Sequence, residues 1–131
     1  MTIKERADQG YQLKANGICN CAQAVINTFQ DKLNIDNTIS SQIASGFAAG
    51  MGGMEGTCGA IIGAVIVAGL LTQGKSTPRI ARDIINNFKQ KSGATICKDL
   101  KAMTGGKPLC ECPQCVHNAI TALGECLELE S

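Results

Sequence analysis

The segment CGAIIGAVIVAGLL, from Cys58 to Leu71, restricts what this chain can fold into more than any other. It carries no charged side chain and so offers no face to water. It also falls short of the ~20 apolar residues that cross a bilayer. The remaining reading is a helix buried at the centre of a bundle. Gly59 and Gly63 form one ridge of small residues, and Ala60, Ala64 and Ala68 form another, along which other backbones can approach. A glycine-dense turn, GMGGMEG, leads into the segment, and Thr57 stands where an N-cap hydroxyl would accept a first-turn amide. Ile61 to Val67 is the one stretch that also suits a strand.

The rest of the chain reads as helices around that centre. From Thr2 to Ala15, Ile3, Ala7 and Tyr11 recur every fourth residue, and Gly17 marks a stop. Asn20 caps a helix expected to run from Cys21 to Leu33, with Ala22, Val25, Ile26, Phe29 and Leu33 on one stripe. After the polar connection NIDNT, a third helix starts near Thr38 and spaces Ile39, Ile43, Phe47 and Met51 by four. Gly74 closes the central helix. Thr77-Pro78 is a start signal, cap then proline. The helix it opens turns Ile80, Ile84, Ile85 and Phe88 inward and ends at Gly93. A short helix follows from Cys97 to Met103, then a loop, TGGKPLCECP. Pro113 fits a first helical position, with Cys112 as its cap, and Val116, Ala119, Ile120 and Leu123 stripe the last helix. The expectation is an all-α protein: residues 1–131 form a single helical domain, a bundle of five to six helices around a central apolar Gly/Ala-rich helix.

Eight cysteines in 131 residues stand out. The N-terminus, MTIKERADQG, has no apolar core or cleavage signature of a secretory signal. A cytoplasmic location is therefore expected, where clustered thiols point to metal binding or redox work rather than a disulfide framework. A net charge near +1 and only 3% aromatics exclude a nucleic-acid reading. Cys21, Cys58, Cys97 and Cys112 each fall at an expected helix start. There the free amides can draw a thiol from ~8.5 toward ~7. These four are the candidate catalytic residues. The competing reading is that each is a small buried hydrophobe.

NCAQAV around Cys21, ASGFAAGMGG, TCGAIIG around Cys58, the cysteine at 97 and CP at Cys112 resemble the redox-active proteins named for their C_GCAxxG_C_C pattern. The resemblance covers about residues 15–128. It implies a small helical protein whose functional cysteines are Cys21, Cys58, Cys97 and Cys112. Gly59, Ala60 and Gly63 complete the central motif, and Gly59 and Gly63 are the candidate cofactor-binding glycines. It also implies an association with membrane transporters. Cys19, Cys110, Cys115 and Cys126 are additional to the pattern.

The leading expectation is a thiol-based redox protein, thiol–disulfide oxidoreductase-like. Cys58 is its principal thiolate, exchanging with Cys21, Cys97 or Cys112, and its redox partner is unspecified. An alternative draws on Cys110-x-Cys112-x-x-Cys115. With Cys21, Cys58 and Cys97 these could ligate zinc or an iron–sulfur cluster. A third reading is an accessory module for a transporter, not itself membrane-spanning, with structural cysteines. A homo-oligomer is compatible with all three. Glu55, three residues before Cys58, is a candidate proton acceptor, weighed against a solvated turn carboxylate. His117 misses the haem-attachment spacing and reads as a surface or core residue. No phosphate-binding loop is present, and the glycines of GMGGMEG lack the preceding strand of a dinucleotide site.

Overall fold

The computed structural model describes residues 1–129. Among these, seven α-helices account for nearly all regular structure: α1 (Ile3–Ala15), α2 (Cys21–Asn27), α3 (Asn37–Ala44), α4 (Gly59–Leu71), α5 (Thr77–Ser92), α6 (Cys97–Lys101) and α7 (Cys112–Cys126). The count exceeds the five to six expected of the bundle, and the short helix expected from Cys97 is the one-turn α6, which ends at Lys101. Two-residue strands β1 (Met103–Thr104) and β2 (Lys107–Pro108) pair antiparallel in what was expected to be a plain loop. Ile61 to Val67 is helical throughout.

The core lies where α4 and α7 meet. Helix α7 packs against α1, α2, α4 and α5, and α4 packs against α2, α5 and α7. The centre is thus shared rather than held by α4 alone. Ala60, Ile61, Ala64, Val67 and Ala68 of α4 are buried with Val116, Ala119, Ile120 and Leu123 of α7. One side of α4 reaches the surface all the same: Leu70 is 40% exposed.

Several elements depart from their expected course. Helix α2 stops at Asn27, not Leu33. Thr28 Oγ1 donates back to the Val25 carbonyl at 2.8 Å, and the Thr28 carbonyl is taken by the Arg6 guanidinium, which ends the ladder. A 3₁₀ turn, Gln30–Lys32, follows, and Phe29 and Leu33 are buried without it being α-helical. Helix α3 starts at its cap Asp36 and ends at Ala44, and its inward face is Ser40 and Ala44. The four-spaced stripe therefore faces outward, with Ile39 49%, Ile43 50% and Met51 59% exposed. Past α3, a 3₁₀ turn and a π-type turn (Gly50–Met54) carry left-handed backbone at Ala49, Gly50 and Met51. Finally, caps shift by one residue. Ser76 rather than Thr77 precedes α5, Glu111 rather than Cys112 precedes α7, and Cys58 rather than Thr57 precedes α4.

Arg6 is 2% exposed, which the sequence did not foretell. It forms a bidentate ion pair with Asp31 at 2.6 and 2.9 Å and lies 4.9 Å from the centre of the Phe29 ring. This cation joins α1 to the end of α2. No helix among the described residues is long and apolar enough to cross a membrane.

Candidate functional site

Thr57 does not cap α4 because its backbone is engaged elsewhere. It pairs with Ile96 as an isolated antiparallel bridge. The Cys58 amide donates to the Thr95 carbonyl at 2.8 Å, and the Cys97 amide donates to the Gly56 carbonyl at 3.0 Å. That short ladder sets the starts of α4 and α6 side by side, one cysteine on each. Asn20 caps α2 through a reciprocal box with Gln23, which fixes Cys21 as the first helical residue. Pro113 in the first turn of α7 lets Cys112 open that helix.

Two glycines bring the first and second of these starts together. A Cβ on Gly63 would lie 2.7 Å from the Ala22 carbonyl oxygen, and one on Gly59 would lie 2.7 Å from the Phe47 carbonyl oxygen. Helix α4 therefore lies against the α2 backbone as no larger residue would allow. Gly50, with φ +60°, performs a similar service for Cys97, whose Cβ would be 2.5 Å from any Cβ placed there.

The outcome is one cavity lined by Cys21, Cys58, Cys97, Cys110, Cys112 and Cys115, together with Ala49, Gly59, Leu100 and Lys101. All four cysteines at helix starts are there, along with two that sequence reasoning placed only in the metal set. Gly59 lines the cavity, whereas Gly63 lies a turn away against Ala22. Cys19 and Cys126 are outside it. His117 does not line the cavity and is hydrogen-bonded to Asp8 at 3.1 Å. Glu55 is exposed and does not line the cavity. Lys101, four residues after Cys97 on α6, is the cation that sequence reasoning missed, although its i, i+4 spacing was readable.

All eight cysteines are free thiols, and those in the cavity share protons unequally. Cys112 is half-buried and drawn down to about 6, because the Cys21 thiol donates to its sulfur, with Lys101 and Lys14 nearby to offset burial. Cys21 is correspondingly pushed up, since it holds the shared proton and is buried. A second group centres on Cys115, which is raised by Cys110 and Cys58 beside it and by burial, and whose thiol donates to the Cys110 carbonyl at 3.7 Å. Cys110 is lowered to about 7 by that thiol, with help from Ser92. Cys58 is lowered too, by Cys115 first and then by the Ala60 and Ile61 amides at the start of α4. Those amide contacts fall short of a regular cap hydrogen bond. Cys97 is raised by burial, which Lys101 does not overcome. Burial also works against the Lys101 charge, yet the sulfurs of Cys112, Cys97 and Cys21 outweigh it and hold its pKa above the usual lysine value.

Cys58, expected as the principal thiolate, is only 6% exposed, so the more accessible acidic sulfur is Cys112. The cavity itself measures about 20 Å³, room for one water-sized atom. An iron–sulfur cluster does not fit a space of that size. Among the described residues, no three His, Cys, Asp or Glu side chains stand ready to share one metal ion.

The family described as "Putative redox-active protein (C_GCAxxG_C_C)" matches residues 19–126. No curated protein and no solved structure matches the chain.

Proposed function

The chain belongs to the C_GCAxxG_C_C family, and from that premise we propose that it is a thiol–disulfide exchange protein with Cys112 as its outer nucleophile and Cys21 as its resolving thiol. The placing of Cys21, Cys112 and Lys101 around one cavity carries the reading, because the half-buried sulfur beside the lysine is drawn down and its buried neighbour is pushed up. A thiol with a pKa somewhat below ambient pH is mostly thiolate yet still a good nucleophile.

In the first step the Cys112 thiolate attacks one sulfur of a substrate disulfide. A mixed disulfide forms and the other half of the substrate leaves as a thiolate. Cys21 then attacks Cys112 Sγ, and its proton passes to the second departing thiolate. The protein is left with a Cys21–Cys112 disulfide, and two electrons have moved to the substrate. An external dithiol run through the same steps in reverse restores the reduced protein. Lys101 steadies the Cys112 thiolate before attack and when it is the leaving group. Such a cycle belongs in a reducing compartment such as the cytoplasm.

The test is disulfide mapping after one equivalent of oxidant. Cys21–Cys112 is the expected product, and Cys112→Ser abolishes it. If Cys112 stays reduced in the folded protein while other cysteines pair, the assignment is wrong. The thiols of the cavity do not stand as a ready metal set, so stoichiometric zinc in protein purified without air, with thiols blocked from alkylation until chelator is added, would overturn the exchange reading.

A further inference from the structure

A polar cleft of about 430 Å³ opens on the surface beside β2 and the start of α7. That lies within the ~300–1,000 Å³ of small-molecule sites. Of the residues lining it, Cys110 alone also lines the six-cysteine cavity. Cys110 is therefore the residue that the cleft and the thiol cavity share, and it is 7% exposed, with its thiol donating to the Glu111 carbonyl at 3.8 Å.

A chain of hydrogen bonds leads from exposed Gln114 through buried Asn118 to Ser92 and to Cys110. Gln114 Nε2 donates to Asn118 Oδ1 at 2.9 Å, and Asn118 Nδ2 donates to Ser92 Oγ at 2.8 Å. The same Asn118 nitrogen lies 3.9 Å from Cys110 Sγ. Burying Asn118 and Ser92 is costly unless their polar groups are used, and here they hold the thiol at the floor of the cleft. Charge at the rim is mixed. Lys107 on the hairpin is exposed, Glu111 opposes it, and Lys91 is already bonded to Glu125 at 3.2 Å.

We propose that this cleft binds a low-molecular-weight disulfide of peptide character, its amides meeting exposed Gln114 and its carboxylate meeting Lys107, and that Cys110 is the sulfur that attacks it. The proposal rests on the thiol-exchange reading but not on the Cys21–Cys112 pair. Cys110 thiolate forms a mixed disulfide with one half of the ligand and releases the other half as a thiolate. Cys115, whose sulfur is in contact with Cys110, attacks Cys110 Sγ. Its proton goes to the departing second half, leaving a Cys110–Cys115 disulfide and two reduced ligand thiols. Cys58 also touches Cys115. Its thiolate can attack Cys115 Sγ, free Cys110 as a thiolate and carry the oxidation inward as Cys58–Cys115.

The experiment uses oxidised glutathione as probe on the reduced Cys21→Ser/Cys112→Ser double variant, with products mapped by mass spectrometry. Release of two reduced glutathiones with a disulfide at Cys115 is expected. Adding Cys115→Ser should stop the reaction after one release, with glutathione on Cys110. Lys107→Glu should slow the reaction with oxidised glutathione about tenfold and speed that with cationic cystamine. Glutathione on another cysteine instead, no reaction in a folded double variant, or indifference to Lys107→Glu overturns the proposal. If the double substitution unfolds the chain, quenching the wild-type reaction early reads the same point. Glutathione on Cys110 supports the site, and glutathione on Cys112 alone overturns it while leaving the Cys21–Cys112 mechanism standing.

Discussion

Cys112 and Cys21 both open helices, yet their sulfurs are driven in opposite directions. Helix α2 is under two turns long, so its dipole is weak, and what separates the two is burial and the direction of one shared proton. The Cys112 thiolate should therefore dominate alkylation, with a rate that rises as pH passes about 6 and then levels off. Cys21→Ala removes the donor, so the rise should move to higher pH. Iodoacetamide kinetics read by peptide mass across pH 5–9 check both, and an unshifted profile in Cys21→Ala would show that the donated proton is not the cause. The helix-start positions of Cys21, Cys58, Cys97 and Cys112 were readable to within one residue, because Asn20 and Pro113 are local signals. Their ranking was not readable. Which sulfur keeps a proton depends on contacts between residues as distant in sequence as 21 and 112, and 58 and 115.

Helices α2 and α4 show the same limit at the scale of elements. The small-residue ridge at Gly59 and Gly63 was visible as a place for close approach, but not the partners, which are the Phe47 carbonyl for Gly59 and the Ala22 backbone for Gly63. The end of α2 was misplaced because a tertiary contact, Arg6 to the Thr28 carbonyl, stops it. Packing and propensity make opposing demands on glycine within one helix. Replacing an interior helical glycine by alanine gains up to ~1 kcal/mol in propensity. At Gly69 the new Cβ would meet only Thr77 Cγ2 at 3.8 Å, so Gly69→Ala should stabilise the protein by roughly that amount. At Gly63 the obstacle is a backbone oxygen at 2.7 Å, which cannot rotate away. Gly63→Ala should cost about 1–3 kcal/mol and push α2 off α4. Urea denaturation of the two variants tests the pair, and equal effects would mean that the close approach is not needed.

Across the whole molecule, the thiol geometry depends on how α1, α2 and α7 are held, since α1 packs on α7 and Arg6 ties α1 to the end of α2. The guanidinium is 2% exposed but its partner carboxylate is 59% exposed, so the pair is screened on one side and its worth is discounted accordingly. Asp31→Asn should cost about 1 kcal/mol at neutral pH, less than a fully buried pair would lose, because Thr28 and Phe29 remain on Arg6. Arg6 holds the Asp31 carboxyl down at about 2, below the ~3.9 expected of the unfolded chain. On acidification the unfolded state thus takes up the proton first. The contribution is complete above pH ~4 and is lost as pH falls toward 2. Urea midpoints at pH 7, 4 and 2.5 should fall more steeply in the wild type than in Asp31→Asn. Parallel curves would place the acid sensitivity in other carboxylates.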